Sequence, residues 1–201
     1  MKMVIGVLAL QGAFAAHIER LTELGVASRE VRLPRDLAAV DALVLPGGES
    51  TTMSNLLRST GLHQPIVERV SAGMPMFGTC AGMILLSERI LDGRSDQIAF
   101  GAIDITVRRN GYGRQIDSFE TDLLINGQDE PFHAVFIRAP IIESLGDGVE
   151  CLARHDDRPV LVRNASVLTS SFHPELTDDS RIHRIFVEMV GESSESLSKA
   201  R

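Results

Sequence analysis

The chain has 201 residues, with 20 Lys and Arg against 27 Asp and Glu, and its net charge of −7 argues against binding a phosphate backbone. At 44% hydrophobic and 23% charged residues the composition is that of a globular protein with a real core, which excludes global disorder. Two cysteines, Cys80 and Cys151, form neither a disulfide framework nor a Cys-x-x-Cys pair, and a reducing, cytoplasmic setting fits them.

Met3 to Leu10 is a nearly continuous apolar run, the pattern of a strand covered on both faces in a parallel sheet. With Lys2 before it and Ala13-Phe14-Ala15 after it, this run has some likeness to a secretory signal. One basic residue is a thin start for such a signal, however, and Gln11-Gly12 interrupts the apolar run, so the segment reads as a first strand and its helix. Phe14, Ile18, Leu21 and Leu24 recur at helical spacing, and Gly25 stands where a C-terminal cap belongs. Val31 to Leu33 predicts a second strand, and Ala42 to Leu45, ending at Pro46-Gly47-Gly48, a third. Helices are expected over Ser50–Ser59 and Pro65–Ala72. A fourth strand, Met74–Phe77, runs into Gly78-Thr79-Cys80-Ala81-Gly82, and Met83–Leu91 reads as another helix. The longest nearly apolar stretch, Gly73 to Leu86, falls short of the roughly 20 residues that cross a bilayer, so no membrane association is expected.

Alternating strands and helices in the first half imply a mostly parallel sheet with helices on both faces, a flavodoxin-like open α/β fold. In the second half, Ala102–Val107, Ser118–Ile125, Phe132–Arg138, Val149–Ala153, Val160–Arg163 and Val167–Phe172 read as strands, expected as antiparallel additions to that sheet. Asn126-Gly127 and Asp156-Asp157 supply turns between them. A last amphipathic helix presents Ile182, Ile185, Phe186 and Met189 on one side. The expectation is one domain over residues 1–191 and a flexible, frayed tail over 192–201.

Gly78-Thr79-Cys80-Ala81-Gly82 has the form of a nucleophile elbow with Cys in place of Ser, set between a predicted strand and a predicted helix. Flanking glycines make room for a sharp turn, and the following helix N-terminus favours thiolate over thiol. Cys80 is therefore the candidate nucleophile, while Cys151, without such an elbow, reads as core. A thiol nucleophile needs a base, and among six histidines His173 is the one read as having its orienting acid beside it. In Ser171-Phe172-His173-Pro174-Glu175, an extended backbone would project His173 and Glu175 the same way. His17, His63, His133, His155 and His183 show no metal-ligand spacing and read as surface or satisfied histidines.

Pro46 to Thr52 follows the third strand and so lies at the carboxyl edge of the sheet, where open α/β folds bind ligands. Gly48 is a natural oxyanion donor beside the Ala81 N–H. The same loop also reads as a turn and helix cap with Ser50 or Thr51 as N-cap, and the two roles are compatible.

Taken in order, Leu10-Gln11-Gly12, Pro46 to Met53, Gly78 to Gly82, Phe119-Glu120, Phe136 to Pro140 and Ser171 to Leu176 resemble the class I, triad-type glutamine amidotransferases. Within these they are most similar to the glutaminase subunits of pyridoxal 5′-phosphate synthase, over about residues 3 to 190. The resemblance implies that Cys80 attacks the side-chain amide of L-glutamine and that His173, oriented by Glu175, protonates the departing ammonia. A thioester on Cys80 would then be hydrolysed to glutamate, with the Gly48 and Ala81 amides stabilising each oxyanion. By the same resemblance Gly48, Glu49, Ser50, Arg109, Ile137 and Arg138 bind glutamine, and a guanidinium at Arg109 or Arg138 suits a carboxylate. Tyr112 departs from the family's usual Phe.

The resemblance further implies no metal and no bound cofactor. Its implied partner is a barrel-shaped synthase, forming a ring, that receives the ammonia; Gln11 and the first loop belong to the docking region. Turnover by the isolated chain would be poor, because related glutaminases complete the oxyanion loop only when the synthase binds. Two rival readings of the same residues are a non-catalytic flavodoxin-like module and a thiol hydrolase acting on another acyl substrate.

Overall fold

In the computed structural model, which describes residues 3–109 and 118–199 (195–199 by backbone alone), the apolar runs become strands and the amphipathic stretches cover them. The first half contains β1 (Val4–Leu8), α1 (Phe14–Glu23), β2 (Ala27–Val31), α2 (Pro34–Leu37), β3 (Ala42–Leu45), α3 (Ser50–Ser59), α4 (His63–Ser71), β4 (Met76–Thr79) and α5 (Ala81–Leu86). The second half contains β5 (Ser87–Ile90), β6 (Ile103–Arg108), β7 (Ser118–Leu123), β8 (Phe132–Ile137), β9 (Ile141–Leu145), β10 (Glu150–His155), β11 (Arg158–Arg163), β12 (Val167–Ser170), a 3-10 turn (Pro174–Leu176) and α6 (Arg181–Lys199).

Seven strands form the central sheet in the order β10-β11-β12-β4-β3-β1-β2. From β12 to β2 all neighbours are parallel, and β11 and β10 add an antiparallel hairpin at one edge. That hairpin closes through Asp156 and Asp157, both at positive φ (46° and 62°), the two-residue turn whose twist matches paired strands. Side chains alternate across the sheet with period two. Ile5, Val7, Ala42, Val44 and Phe77 join Leu21 of α1 and Ile182 and Phe186 of α6 in one core. Leu8, Leu43, Leu45 and Met76 join Met53 and Leu57 of α3 and Ile66 of α4 in the other. Both faces are thus covered by helices, which is why these strands read as continuous apolar runs.

Several expectations change. Val167–Ser170 is not an antiparallel addition: it pairs parallel with β4 inside the sheet and is buried throughout, Thr169 and Ser170 included. The strands over 103–108, 118–123 and 132–137 leave the central sheet altogether. β6 pairs with β5 and β9 in a three-stranded sheet, and β7 pairs with β8 in a ribbon. The helix expected to reach Leu91 ends at Leu86, because Ser87 turns to extended backbone and β5 pairs with β6. Neither α2 nor β9 was anticipated, and α6 runs on to Lys199, past residue 191.

Strand order decides where chemistry can occur. β4 lies between β3 and β12, with Leu45 opposite Gly78 on one side and Ser170 opposite Thr79 on the other. The carboxyl ends of these three strands are therefore level, and the segments leaving them meet. The helix after β4 also sits very close to the sheet. A Cβ on Gly82 would lie 1.9 Å from the Leu45 carbonyl oxygen, and one on Gly78 would lie 2.6 Å from the Gly82 carbonyl carbon. Gly82→Ala is therefore expected to cost about 3 kcal/mol in urea unfolding, since backbone must move to admit the methyl. Gly191→Ala, where a Cβ meets nothing within 4 Å, is expected to be neutral or mildly stabilising in the same measurement.

Candidate active site

Cys80 occupies the turn between β4 and α5 with φ 49° and ψ −105°, a strained conformation for a residue with a Cβ. The turn is anchored by a hydrogen bond from the Cys80 N–H to the Ser170 carbonyl (2.9 Å). The sulfur faces the Ile137 carbonyl at 4.0 Å, and Cys80 is 7% exposed. Arg138, next along, also has positive φ (44°), so the cleft is bordered by two strained non-glycine residues. Ala81 begins α5, where an N–H has no acceptor within the helix.

His173 follows β12 by three residues. Its N–H bonds the Val135 carbonyl of β8 (2.9 Å), and its Nδ1 lies 2.8 Å from Glu175 Oε1. The His173–Glu175 contact arises differently from the sequence expectation. Backbone from Pro174 to Leu176 is a 3-10 turn rather than an extended strand, and the turn folds Glu175 beneath the imidazole. Burial opposes charge on His173, but hydrogen bonds to the Cys80 sulfur and to Glu175 outweigh it and raise the imidazole to about 10. Burial likewise pushes Glu175 up, and the facing His17 and bonded His173 more than reverse this, so its carboxyl lies below its ordinary value. Sulfur, imidazole and carboxylate are thus gathered in the expected order.

The glycine loop lies against this pair. A Cβ on Gly47 would come within 2.3 Å of the His173 ring and 3.4 Å of Cys80 Cβ, so only glycine permits the approach. Gly48 is at φ +153°, with the half-buried Gln11 side chain beside it. The cap of α3 is neither Ser50 nor Thr51 but Glu49. Its carboxylate accepts from the Thr51 N–H (3.0 Å), the Thr52 N–H (2.6 Å) and the Thr52 hydroxyl (2.8 Å). Against partial desolvation, these bonds hold Glu49 at about 2. Its Oε1 also accepts from Arg109 Nη2 at 3.1 Å.

Gly47, Gly48, Glu49, Ser50, Cys80, Arg109, Ile137, Arg138 and His173 all line one cleft of about 450 Å³, together with Gly12, Ala13, Ile84 and Leu176. Of the residues singled out in the sequence, Glu175 and Ala81 lie beneath its floor and Tyr112 lies outside the described residues. Cys151 is half-buried with its sulfur directed at the Ala153 carbonyl, and burial pushes its thiol up. His133 is exposed and satisfied between Glu120 and Asp122. Among the described residues, no group of three His, Cys, Asp or Glu is placed to hold a metal, and no helix is long and apolar enough to cross a membrane.

Two supports escaped the sequence. Gln97 donates to the Ser50 carbonyl (3.2 Å) and to Ser54 Oγ (3.0 Å), fastening the start of α3. His17 and His183 are fully buried, with His17 Nδ1 2.9 Å from His183 Nε2 and His17 Nε2 3.5 Å from Glu175 Oε2. His17 is satisfied, as expected, but His183 leaves its Nδ1 buried without a partner, and both sit directly behind the carboxylate. The one signal for His17 is its place among apolar positions on the inner face of α1, at Phe14, Ile18 and Leu21.

The sequence profile described as the SNO glutamine amidotransferase family matches residues 7–192. The chain belongs to that family. A "Pyridoxal 5'-phosphate synthase subunit PdxT" of Mycobacteroides abscessus is 56% identical to this SNO-family chain over 190 residues, covering 94% of this chain and 98% of that one. The protein of the same name from Thermus thermophilus is 53% identical over 192 residues, covering 95% of this chain and 100% of that one. A crystal structure titled glutamine amidotransferase superposes with TM-score 0.87 at 50% identity, covering 93% of this chain and 98% of that one. A putative GMP synthase protein from Thermoplasma acidophilum superposes with TM-score 0.70 over 98% of both chains. At 18% identity it shows the α/β fold alone.

For this SNO-family chain the buried histidines carry a cost in acid. Burial drives His17 below its ordinary 6.5 and His183 well below it, so both are neutral in the folded state. The unfolded chain takes up protons at these sites from about pH 6.5 downward and the folded chain only at lower pH, so these two sites make stability fall as pH drops, outweighing the opposite contribution of the raised His173. The urea midpoint is expected to be lower at pH 5 than at pH 7, with the decline starting above the ordinary carboxylate range.

Proposed function

We propose that the chain hydrolyses L-glutamine to L-glutamate and ammonia at Cys80, as the glutaminase subunit of a pyridoxal 5′-phosphate synthase. The observation that carries this is the convergence of Cys80, His173 and Glu175 under a cleft large enough for one amino acid, in a chain more than half identical to proteins named as that subunit.

In this reading the Cys80 thiolate attacks the side-chain amide carbon of glutamine, forming an S–C bond and an oxyanion. Gly48 and Ala81 N–H groups are the oxyanion donors, the second favoured by its position at the start of α5. His173 donates its proton to the leaving nitrogen as the C–N bond breaks, giving ammonia and a thioester. The neutral imidazole then accepts a proton from water, whose oxygen attacks the thioester. Collapse of the second oxyanion breaks the S–C bond and releases glutamate. Glu175 holds the imidazole in the tautomer that serves both steps. Ser50, Ile137 and the Glu49–Arg109 pair border the substrate, and Arg109 and Arg138 supply the cations for its α-carboxylate.

Ammonia passes to a ring of barrel-shaped synthase chains in the cytoplasm, and that partner performs the chemistry on sugar phosphates. Gln11 and the first loop belong to the docking region. The two adjacent glycines, one at positive φ, allow the 47–48 peptide to reorient, and that reorientation is the proposed switch for activation.

Glutamate release is expected to be slow for the chain alone and to rise on addition of the synthase, with Cys80→Ala reducing the stimulated rate by roughly 10⁴-fold or more. An electrophilic glutamine analogue is expected to label Cys80, with excess glutamine blocking the label. Labelling that glutamine does not affect would overturn the substrate assignment, and vigorous turnover without the synthase would overturn the switch.

A further inference from the structure

Behind the cleft runs a buried file of polar groups that the proposed reaction does not itself require. Glu175 uses Oε1 for His173, while its Oε2 is buried without a well-directed hydrogen bond and faces His17 Nε2 at 3.5 Å. The same nitrogen lies 3.3 Å from the Thr79 hydroxyl. On its far side His17 Nδ1 meets His183 Nε2 at 2.9 Å, and His183 Nδ1 ends the file, buried and without a partner. Both rings pack against Phe77 in T-shaped contacts, at 87° and 84°.

Each neutral ring carries one N–H, and only two arrangements satisfy the central contact. If His17 Nδ1 bears the hydrogen, His183 must carry its own on Nδ1, leaving a buried donor unmet and turning a His17 lone pair toward the carboxylate. If His17 Nε2 bears it, Glu175 faces a donor and His183 Nε2–H supplies His17 Nδ1, while the Thr79 O–H loses its acceptor at Nε2 and a lone pair at the end of the file is unmet. Each arrangement leaves one donor unmet, and the first also sets a lone pair against a buried anion, so the second arrangement wins.

We propose that His17, fixed by His183 as its Nε2–H tautomer, is a positioning residue that presents a second donor to Glu175 and so keeps the carboxylate aimed at His173. The inference rests on the glutaminase reading for its kinetic consequence and on geometry alone for the tautomer. His17 does not line the cleft, so its loss acts on kcat rather than on KM.

Groups facing Glu175 are His173, the His17 ring from α1 and, beside that ring, the Thr79 hydroxyl of β4. Beyond them stand Cys80, His183 of α6, and Arg20 of α1, whose guanidinium holds the Thr177 carbonyl at 3.0 Å. With His17 removed, His173 alone of these supports the carboxylate directly. Glu175 then protonates at higher pH, and the acid limb of activity moves up.

Three variants of the full-length chain, assayed for glutamate release with saturating synthase, test this. His17→Phe is expected to lower kcat about tenfold at pH 7, comparable to losing the outer partner of a metal-bound imidazole, with KM within about twofold. Its acid limb is expected to shift upward. His17→Gln, whose amide N–H reaches the place of Nε2–H, is expected to recover most of the rate and the wild-type limb. His183→Phe, which frees the tautomer, is expected to fall between the two.

A His17→Phe chain with wild-type kcat and pH profile overturns the proposal. So does a loss shared equally by His17→Phe and His17→Gln with unmoved profiles. Two readouts need neither synthase nor glutaminase activity, so failure of the functional reading remains distinguishable. The acid limb of Cys80 alkylation by iodoacetamide is expected to shift with His17→Phe as the activity does, and an unmoved limb counts against the proposal. Nitrogen-15 NMR of the wild-type chain at pH 7 is expected to show His17 protonated on Nε2 and bare on Nδ1. The opposite tautomer overturns the proposal even if every variant fails to fold.

Discussion

One hydrogen bond, from the Cys80 N–H to the Ser170 carbonyl, joins the turn that carries the sulfur to the strand that delivers the imidazole. It continues the parallel pairing of β4 with β12 one step beyond the strands themselves, so the elbow is registered by the sheet rather than by its own loop. Everything else at the cleft takes its position from that registration. Gly78 and Gly82 let α5 return close enough to keep Cys80 in its strained conformation, and Gly47 lets the loop from β3 come against the same pair. A parallel sheet suits this task because adjacent carboxyl ends are held level by many weak bonds, and no single loop has to supply the rigidity.

Behind the sulfur the fold accepts a burden that a purely apolar core would avoid. Glu175, His17, His183, Thr79 and Arg20 are all buried or nearly so, in a region that also holds Phe77 and Phe186. Such groups destabilise a core unless each finds a partner, and here several bonds are long or incomplete. The segment from His173 to Thr177 is nonetheless held from three sides, by β8 through the Val135 carbonyl, by α1 through Arg20 and by its own 3-10 turn. Rigidity at His173 is what the arrangement secures.

Much of this was legible in the residues. The elbow could be read because glycines at both ends of a strand-to-helix turn have few other uses, and α3 was found from Ser50 to Ser59 because its apolar positions keep helical spacing. Strand partnership was not legible. Val167–Ser170 has the same sequence signature whether its neighbours run parallel or antiparallel, and β5 follows α5 without a break, so that only its pairing with β6 distinguishes it. His17 was passed over for a related reason. Buried histidines inside a helix face carry no local mark, and the carboxylate that gives His17 its significance comes from the far end of the chain. The Glu49 cap was missed because Ser and Thr beside it are the usual caps, and only geometry shows both threonines donating to the acid instead.

That cap has an effect on the cleft as a whole. Glu49 stays ionised down to about pH 2, so the carboxylate bordering the Arg109 guanidinium presents an unvarying electrostatic backdrop through the entire neutral and mildly acidic range. A ligand entering the cleft therefore meets the same fixed negative charge beside Arg109 whatever the pH of the surroundings within that range.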